Sequence, residues 1–418
     1  MSRAATAVIL AGAVALSSCT DGLVVGADRT SLLTAPGVPW LILVYIAPGD
    51  DLAAATISLK QMESAGLEGT GVVVSVLVTG ERSRLYEVVD DVTGRDTVVS
   101  IPLASSELGL DPDGFGVLDA GNPHTLANFL RFARDRYRPE RVALILSGVG
   151  RGVRAPIVDP MMNRELSAAS IAHVVATVAV ASSGTLDVIG FDSAFTAGIE
   201  LAYEMRHGAK ILVASQGAVP RVGWGWELML RRFVAGERTA ESFAASIVGS
   251  VDGSASPPEA VSAIDLRGIE RVNAALNAWS VAAFASIPND LLRRALRYTL
   301  FYDLVDFYTT PGDLSIDLVD LAAVVAANHG VAIDEAAELQ DAVGSTVLAT
   351  WSLAGRASGV SVHLIPLEPD GAAAAHHAAW FRGYDGPDRL AFTDRSDWSI
   401  GSAGGHGLLY RLFYEVLP

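Results

Sequence analysis

Two short stretches of the chain bring together residue types that could do chemistry, "SGVGRG" at 147–152 and "GFDSAF" at 190–195. Each closes a run of apolar residues, "RVALIL" before the first and "LDVI" before the second. Asp192 and Ser193 place an acid and a hydroxyl where a strand should give way to a helix, a junction that commonly aims working side chains at a ligand. Ser193 is a nucleophile only if a base stands beside it, and "GFDSAF" is not the GxSxG elbow of serine hydrolases. The other reading is that Ser193 caps the following helix and that Asp192 caps it or faces its dipole. The glycines of "SGVGRG" lack the Lys and Ser/Thr of a phosphate loop and do not match GxGxxG, so a tight turn is the simpler account. "DPDGFG" at 111–116 opens like a calcium loop but lacks the later acids. His376 and His377 are adjacent and would diverge on a helix, so neither a metal nor a cofactor is expected.

These stretches need a frame to hold them. The apolar runs "WLILVYIA" (40–47), "GVVVSVLVT" (71–79), "RVALILS" (141–147), "TLDVIGF" (185–191) and "KILVAS" (210–215) alternate with segments of helical spacing such as "TLANFLRFARDRY". Fully apolar strands joined by helices imply an α/β fold, with a largely parallel sheet covered by helices on both faces. Ligands in such sheets bind at the carboxyl ends of the strands, where "SGVGRG" and "DSAF" fall. The prolines of "GSASPPEAVSAIDLRGIERV" (253–272) suggest a boundary, which divides the chain into a domain at 39–265 and a mainly helical C-terminal region at 266–418. A late apolar strand, "GVSVHLIPL" (359–367), either rejoins the main sheet or pairs locally.

Composition narrows the partners. The chain has 418 residues, 50% of them hydrophobic, and a formal net charge of −17. That charge repels a phosphate backbone, so nucleic acid is not an expected partner. The single cysteine, Cys19, ends "MSRAATAVILAGAVALSSC", in which Arg3 precedes an apolar run too short to span a bilayer. Leu-Ser-Ser-Cys fits the bacterial lipobox, so residues 1–18 read as a lipoprotein signal peptide, Cys19 as the acylated residue and 19–38 as a tether. The expected location is the bacterial cell envelope, anchored by lipid to a membrane and facing the periplasm or the exterior.

In order and in wording, these segments resemble the clostripain family of cysteine peptidases, which have a caspase-like fold and cut after basic residues. In that family a strand of the type "LILWDHGSG" ends in the catalytic histidine, and a later strand of the type "DLIGFDAC" ends in the nucleophilic cysteine. Here they read "LILSGVGRG" (144–152) and "DVIGFDSA" (187–194), which sets Val149 at the histidine position and Ala194 at the cysteine position. "GNPHTLANFLRFARDRYRPERVALIL" is similar to the helix before the histidine strand, and "VSAIDLRGIERV" to a following "SAIDLS" unit. The resemblance covers roughly residues 39 to 400 and is strongest from 121 to 226.

The resemblance implies further roles. Asp192 matches an aspartate that helps form the pocket for Arg or Lys, while the aspartate of the family's "PGDGW" turn corresponds to Val222 in "PRVGW", next to Arg221. Gly150 falls among glycines that let backbone N–H groups approach a substrate carbonyl. With valine and alanine at the two catalytic positions, the expected function is a lipid-anchored pseudopeptidase that binds a peptide or protein. The alternatives are a hydrolase rearranged around Ser193 and a surface interaction protein that keeps the fold as a scaffold. The candidate site is therefore Asp192, Ser193 and Gly150, with Val149 and Ala194 as vestigial catalytic positions and Cys19 as the lipidation site.

Overall fold

Strand β1 (Trp40–Ala47) is buried along its whole length and splits its side chains between two cores. Leu41, Leu43 and Tyr45 face one, and Trp40, Ile42, Val44 and Ile46 face the other, as the two-residue period of a strand requires. The computed structural model describes residues 37–178, 184–252, 254, 256–285, 314–353, 355–364 and 390–396. The signal segment, Cys19, the tether up to residue 36, His376 and His377 lie outside them, as do residues 365–367 of the expected late strand.

Around β1 stands a 10-stranded sheet. Its centre is parallel: β2 (Val72–Val78) pairs β1, β1 pairs β6 (Arg141–Gly148), β6 pairs β9 (Leu186–Asp192), and β9 pairs β10 (Ala209–Ser215). Antiparallel strands extend both ends. β3 (Gly80–Glu87), β4 (Ile101–Leu103) and β5 (Phe115–Leu118) lie beyond β2, and β11 (Ala260–Asp265) lies beyond β10, while β7 (Ile157–Asp159) and β8 (Arg164–Leu166) pair with each other outside this sheet. One face is covered by α1 (Leu52–Glu63), α5 (Trp226–Ala235) and α6 (Ala240–Ser250), which contribute Leu59, Met229, Phe233, Phe243 and Ile247. The other is covered by α2 (Pro123–Tyr137), α3 (Ala168–Thr177) and α4 (Ile199–Met205), which contribute Phe129, Leu130, Ile171 and Leu201.

In the C-terminal half the structure adds a strand that the sequence reading lacked and selects one of the two pairings left open for the late strand. β11 runs through a turn at Leu266–Gly268 into α7 (Ile269–Ala285), and Leu266, Ile269, Val272 and Leu276 share one core with Leu201 and Tyr203. After β12 (Leu314–Asp317), α8 (Leu318–His329) and α9 (Ile333–Thr346), an unexpected strand, β13 (Val347–Ser352), joins the main sheet beside β11. The late strand, β14 (Ser361–Leu364), pairs locally with β12. A short helix, α10 (Ala391–Arg395), packs Phe392 against Tyr203 of α4, with ring centroids 6.0 Å apart.

Candidate functional site

In this sheet, the chain moves outward from β1 to β2 in one direction and from β6 through β9 to β10 in the other. The order therefore reverses between β1 and β6, and the carboxyl ends of the strands leave a crevice there. A cleft of about 140 Å³ occupies it, lined by Ala47 at the end of β1, Gly148 at the end of β6 with Val149 and Gly150 just beyond, and Asp192 at the end of β9 with Ala194 two residues on. The side walls are Asp51, Ala54 and Ser58 at the start of α1, and Pro220, Arg221 and Gly223 from the loop after β10.

Backbone contacts shape the loop that carries Val149. The Val149 carbonyl accepts a hydrogen bond from Val158 N (2.8 Å), and Arg151 N donates to the Ala155 carbonyl (2.8 Å). Arg151 and Arg154 both pair with Glu165, at 2.5 and 3.0 Å, so neither guanidinium is directed at a ligand in the cleft. Val149 itself is 49% exposed. Gly150 is required sterically, since a Cβ there would lie 2.5 Å from the Pro156 carbonyl oxygen and 2.9 Å from Ser193 Oγ.

Asp192 ends β9 directly opposite Ser147 of β6 in the parallel register. Its Oδ2 accepts hydrogen bonds from Ser147 Oγ (3.1 Å) and Trp224 N (3.2 Å), whereas Oδ1 is buried with no partner. The residue is only 3% exposed. Burial pushes its carboxyl up from the ordinary 3.8 to about 7, against the opposing pull of the two hydrogen bonds. Gly223 makes this approach possible. It sits at φ +67°, and a Cβ there would lie 2.1 Å from Asp192 Oδ2.

Ser193 is placed differently from its two neighbours. Its side chain is buried and its hydroxyl donates to the Pro156 carbonyl (2.8 Å), away from the cleft lining. Neither Asp192 nor Ser193 caps a helix, because the chain does not enter one there. Phe195 takes a left-handed φ of 58°, and the backbone N–H groups of Thr196 and Ala197 both bond the Ser215 carbonyl at 2.8 Å. The helix begins only at Ile199, with Gly198 at its N-cap. No histidine lines the cleft among the described residues. "DPDGFG" is a turn in which Asp111 Oδ1 accepts from Asp113 N and Phe115 N.

Sequence reasoning missed Ser147, Gly223 and the acids of "PGDD". Asp51 caps α1 through Ala54 N (3.0 Å) and faces Arg221 across the cleft, where Arg221 Nη1 lies 3.5 Å from Asp50 and 3.6 Å from Asp51. The signal for Ser147 was its position as the last residue of an apolar strand adjacent to the one that ends in Asp192. Arg221, Asp50 and Asp51 meet only when the loops after β1 and β10 fold over the same strand ends.

A mostly parallel sheet with helices on both faces and a cleft at its switch point is the arrangement of the caspase-like peptidases. The family profile described as Peptidase_C11, the clostripain family, matches residues 113–349, more than half of the chain, and the chain belongs to that family. Among solved structures it is similar to an inactive zymogen of a C11 protease from Parabacteroides distasonis, with 14% identity and a TM-score of 0.59 over 84% of this chain and 99% of that one. It is also similar to a secreted C11 cysteine protease from Bacteroides thetaiotaomicron in complex with an irreversible peptide inhibitor. There the identity is 16% and the TM-score 0.59, over 86% of this chain and 99% of the other. At such identities the likeness speaks for the fold. No curated protein sequence matches significantly.

Proposed function

We propose that this clostripain-family protein does not hydrolyse peptides but holds a short segment of a peptide or protein in its cleft, while tethered to a bacterial envelope membrane through acylated Cys19. The observation that carries this reading is that Val149 and Ala194, at the positions the resemblance gives to the histidine and the cysteine, line the same cleft. Thiol peptidase chemistry needs a thiolate to attack the carbonyl and an imidazole to move protons, and neither side chain supplies them. Loss of both members matters more than loss of one, because such groups act as a unit. Ser193 offers no ready substitute, since its hydroxyl is buried against Pro156 and, among the described residues, no imidazole lines the cleft.

The geometry also favours one kind of guest. About 140 Å³ is well below the ~300 Å³ at which small-molecule pockets usually begin, so the cleft suits a single side chain of a longer ligand. Ala194, Val219 and the exposed Val149 present hydrocarbon, Arg221 offsets the charge of Asp50 and Asp51 at the mouth, and Asp192 carries only part of its charge near neutral pH. An apolar side chain therefore fits better than the Arg or Lys that the family's active members accept.

The test is an assay on fluorogenic peptides with Arg, Lys or Leu before the reporter, run beside the double variant Val149→His with Ala194→Cys. No cleavage by the native protein and measurable cleavage by the double variant are expected. Turnover by the native protein would overturn the proposal. For the anchor, fatty-acid labelling and membrane fractionation of Cys19→Ala should show loss of both label and membrane association.

A further inference from the structure

A second cavity, of about 370 Å³, lies between α1 and the β2–β3–β5 margin of the sheet. Its helix wall is Leu52, Ala55, Thr56 and Leu59, one face at the i, i+3, i+4, i+7 spacing. Across from it stand Val78, Arg84 and Tyr86 on the sheet, with Phe115 of β5 beside Arg84 in register. The cavity exists because Ala55 and Thr56 are too small to fill the space between the helix and the sheet margin. Leu52 and Phe115 remain 49% and 40% exposed at its mouth.

Its charge is opposite to that of the molecule. In a chain of net charge −17, the cavity is lined by Arg82 and Arg84 and by no carboxylate among the described residues. Neither arginine forms an ion pair among those residues, whereas the half-buried Lys60, Arg136 and Arg154 each pair with a carboxylate. The Arg84 guanidinium lies 3.7 Å from the centre of the Phe115 ring and donates at 3.4 Å to the Tyr86 hydroxyl. Its Nε is buried with no partner. A stacked guanidinium is held in a fixed plane and keeps donors for a planar acceptor.

We propose that this cavity binds a carboxylate carried on an apolar or aromatic body, with the carboxylate on Arg82 and Arg84 and the body against Leu52, Leu59, Val78 and Phe115. The volume falls within the range of small-ligand sites, and a carboxylate is the planar group that arginine pairs bidentately. Such a group comes from two sources, a free organic acid or the last residue of a peptide, and both share the chemistry that the site recognises. The site is separate from the cleft in its polar groups, since Arg82, Arg84 and Thr56 do not line the cleft.

The test is calorimetric titration of the full chain with 4-phenylbutyrate, and with a short neutral peptide ending in Phe, in its free-acid and amidated forms. Saturable binding of phenylbutyrate, of the free-acid peptide or of both is expected, weaker at high salt and absent for the amide. Arg82→Gln with Arg84→Gln should weaken binding by about ten-fold or more, and Thr56→Trp should block it by filling the mouth. Melting curves of both variants confirm that they are folded, and a variant that is not is replaced by Arg84→Lys, which keeps the charge but loses the planar fork and should also bind more weakly. Failure of both free acids to bind, equal binding of acid and amide, or unchanged affinity in the folded variants would each overturn the proposal.

Discussion

Strand β9 carries a buried aspartate at each end, and the two are treated in opposite ways. At the amino end, Asp187 accepts from Val142 N at 3.0 Å and from Lys210 Nζ at 2.7 Å, so both oxygens are used and a cation balances the charge. At the carboxyl end, Asp192 has two donors on one oxygen, none on the other, and no cation in contact. They stand only 5 positions apart in the sequence. The amino end ties neighbouring strands together, whereas the carboxyl end holds a carboxyl group at a cost in stability, beside a cleft. Unsatisfied buried polarity is a feature of ligand-facing ends of a sheet, and stability-bearing pairs are a feature of the opposite ends.

The contrast can be broken most sharply at the amino end. Asp187→Ala leaves a buried N–H on Val142 and a half-exposed Lys210 without its acid, and should cost about 3 kcal/mol in denaturant unfolding. At the carboxyl end, Gly223→Ala forces a methyl group against Asp192 and strains a left-handed backbone position. A loss of about 2 kcal/mol is expected by the same measurement, with recovery of part of it in a Gly223→Ala, Asp192→Ala double variant.

The third test uses the raised pKa of Asp192. Below about pH 4 its carboxyl is protonated both folded and unfolded. As pH rises towards about 7, the unfolded chain ionises while the folded one keeps its proton, so the contribution to stability is lost across that window. Asp192→Asn should flatten this decline and be about 1–2 kcal/mol more stable than the native protein at pH 8, with little difference at pH 4. An unchanged pH profile would remove the contrast between the two aspartates. Smallest of all, Arg221→Ala should change stability by less than about 0.5 kcal/mol, because its partners Asp50 and Asp51 lie in an exposed network.

The central strands were legible in the sequence because a strand buried on both faces must be apolar throughout, and "WLILVYIA" or "RVALIL" admits little else. β13 was not. "VLATWS" has no buried residue, only half-buried and exposed ones, and follows helix α9 with no turn residue between them, so nothing marks it off from the helix. Two prolines in a row announce a loop but do not say that the next strand, β11, returns to the same sheet beside β10. At the site, the resemblance brought Val149, Gly150, Asp192 and Ala194 to one place, and the structure lines a single cleft with them. Ser193 went elsewhere because consecutive residues at the end of a strand point in opposite directions, a fact that the string "DSA" contains but does not display. The crevice with Arg82 and Arg84 left no motif at all, since it depends on two small helix residues meeting a hairpin that lies 20 or more residues further along the chain.

The loop bearing Val149 is secured by main-chain bonds and by the two arginines that grip Glu165, while the valine side chain itself supports none of this. Position 149 is thus a socket whose occupant can be exchanged without disturbing the mount. Side chains of different chemistry can stand there at little cost to folding.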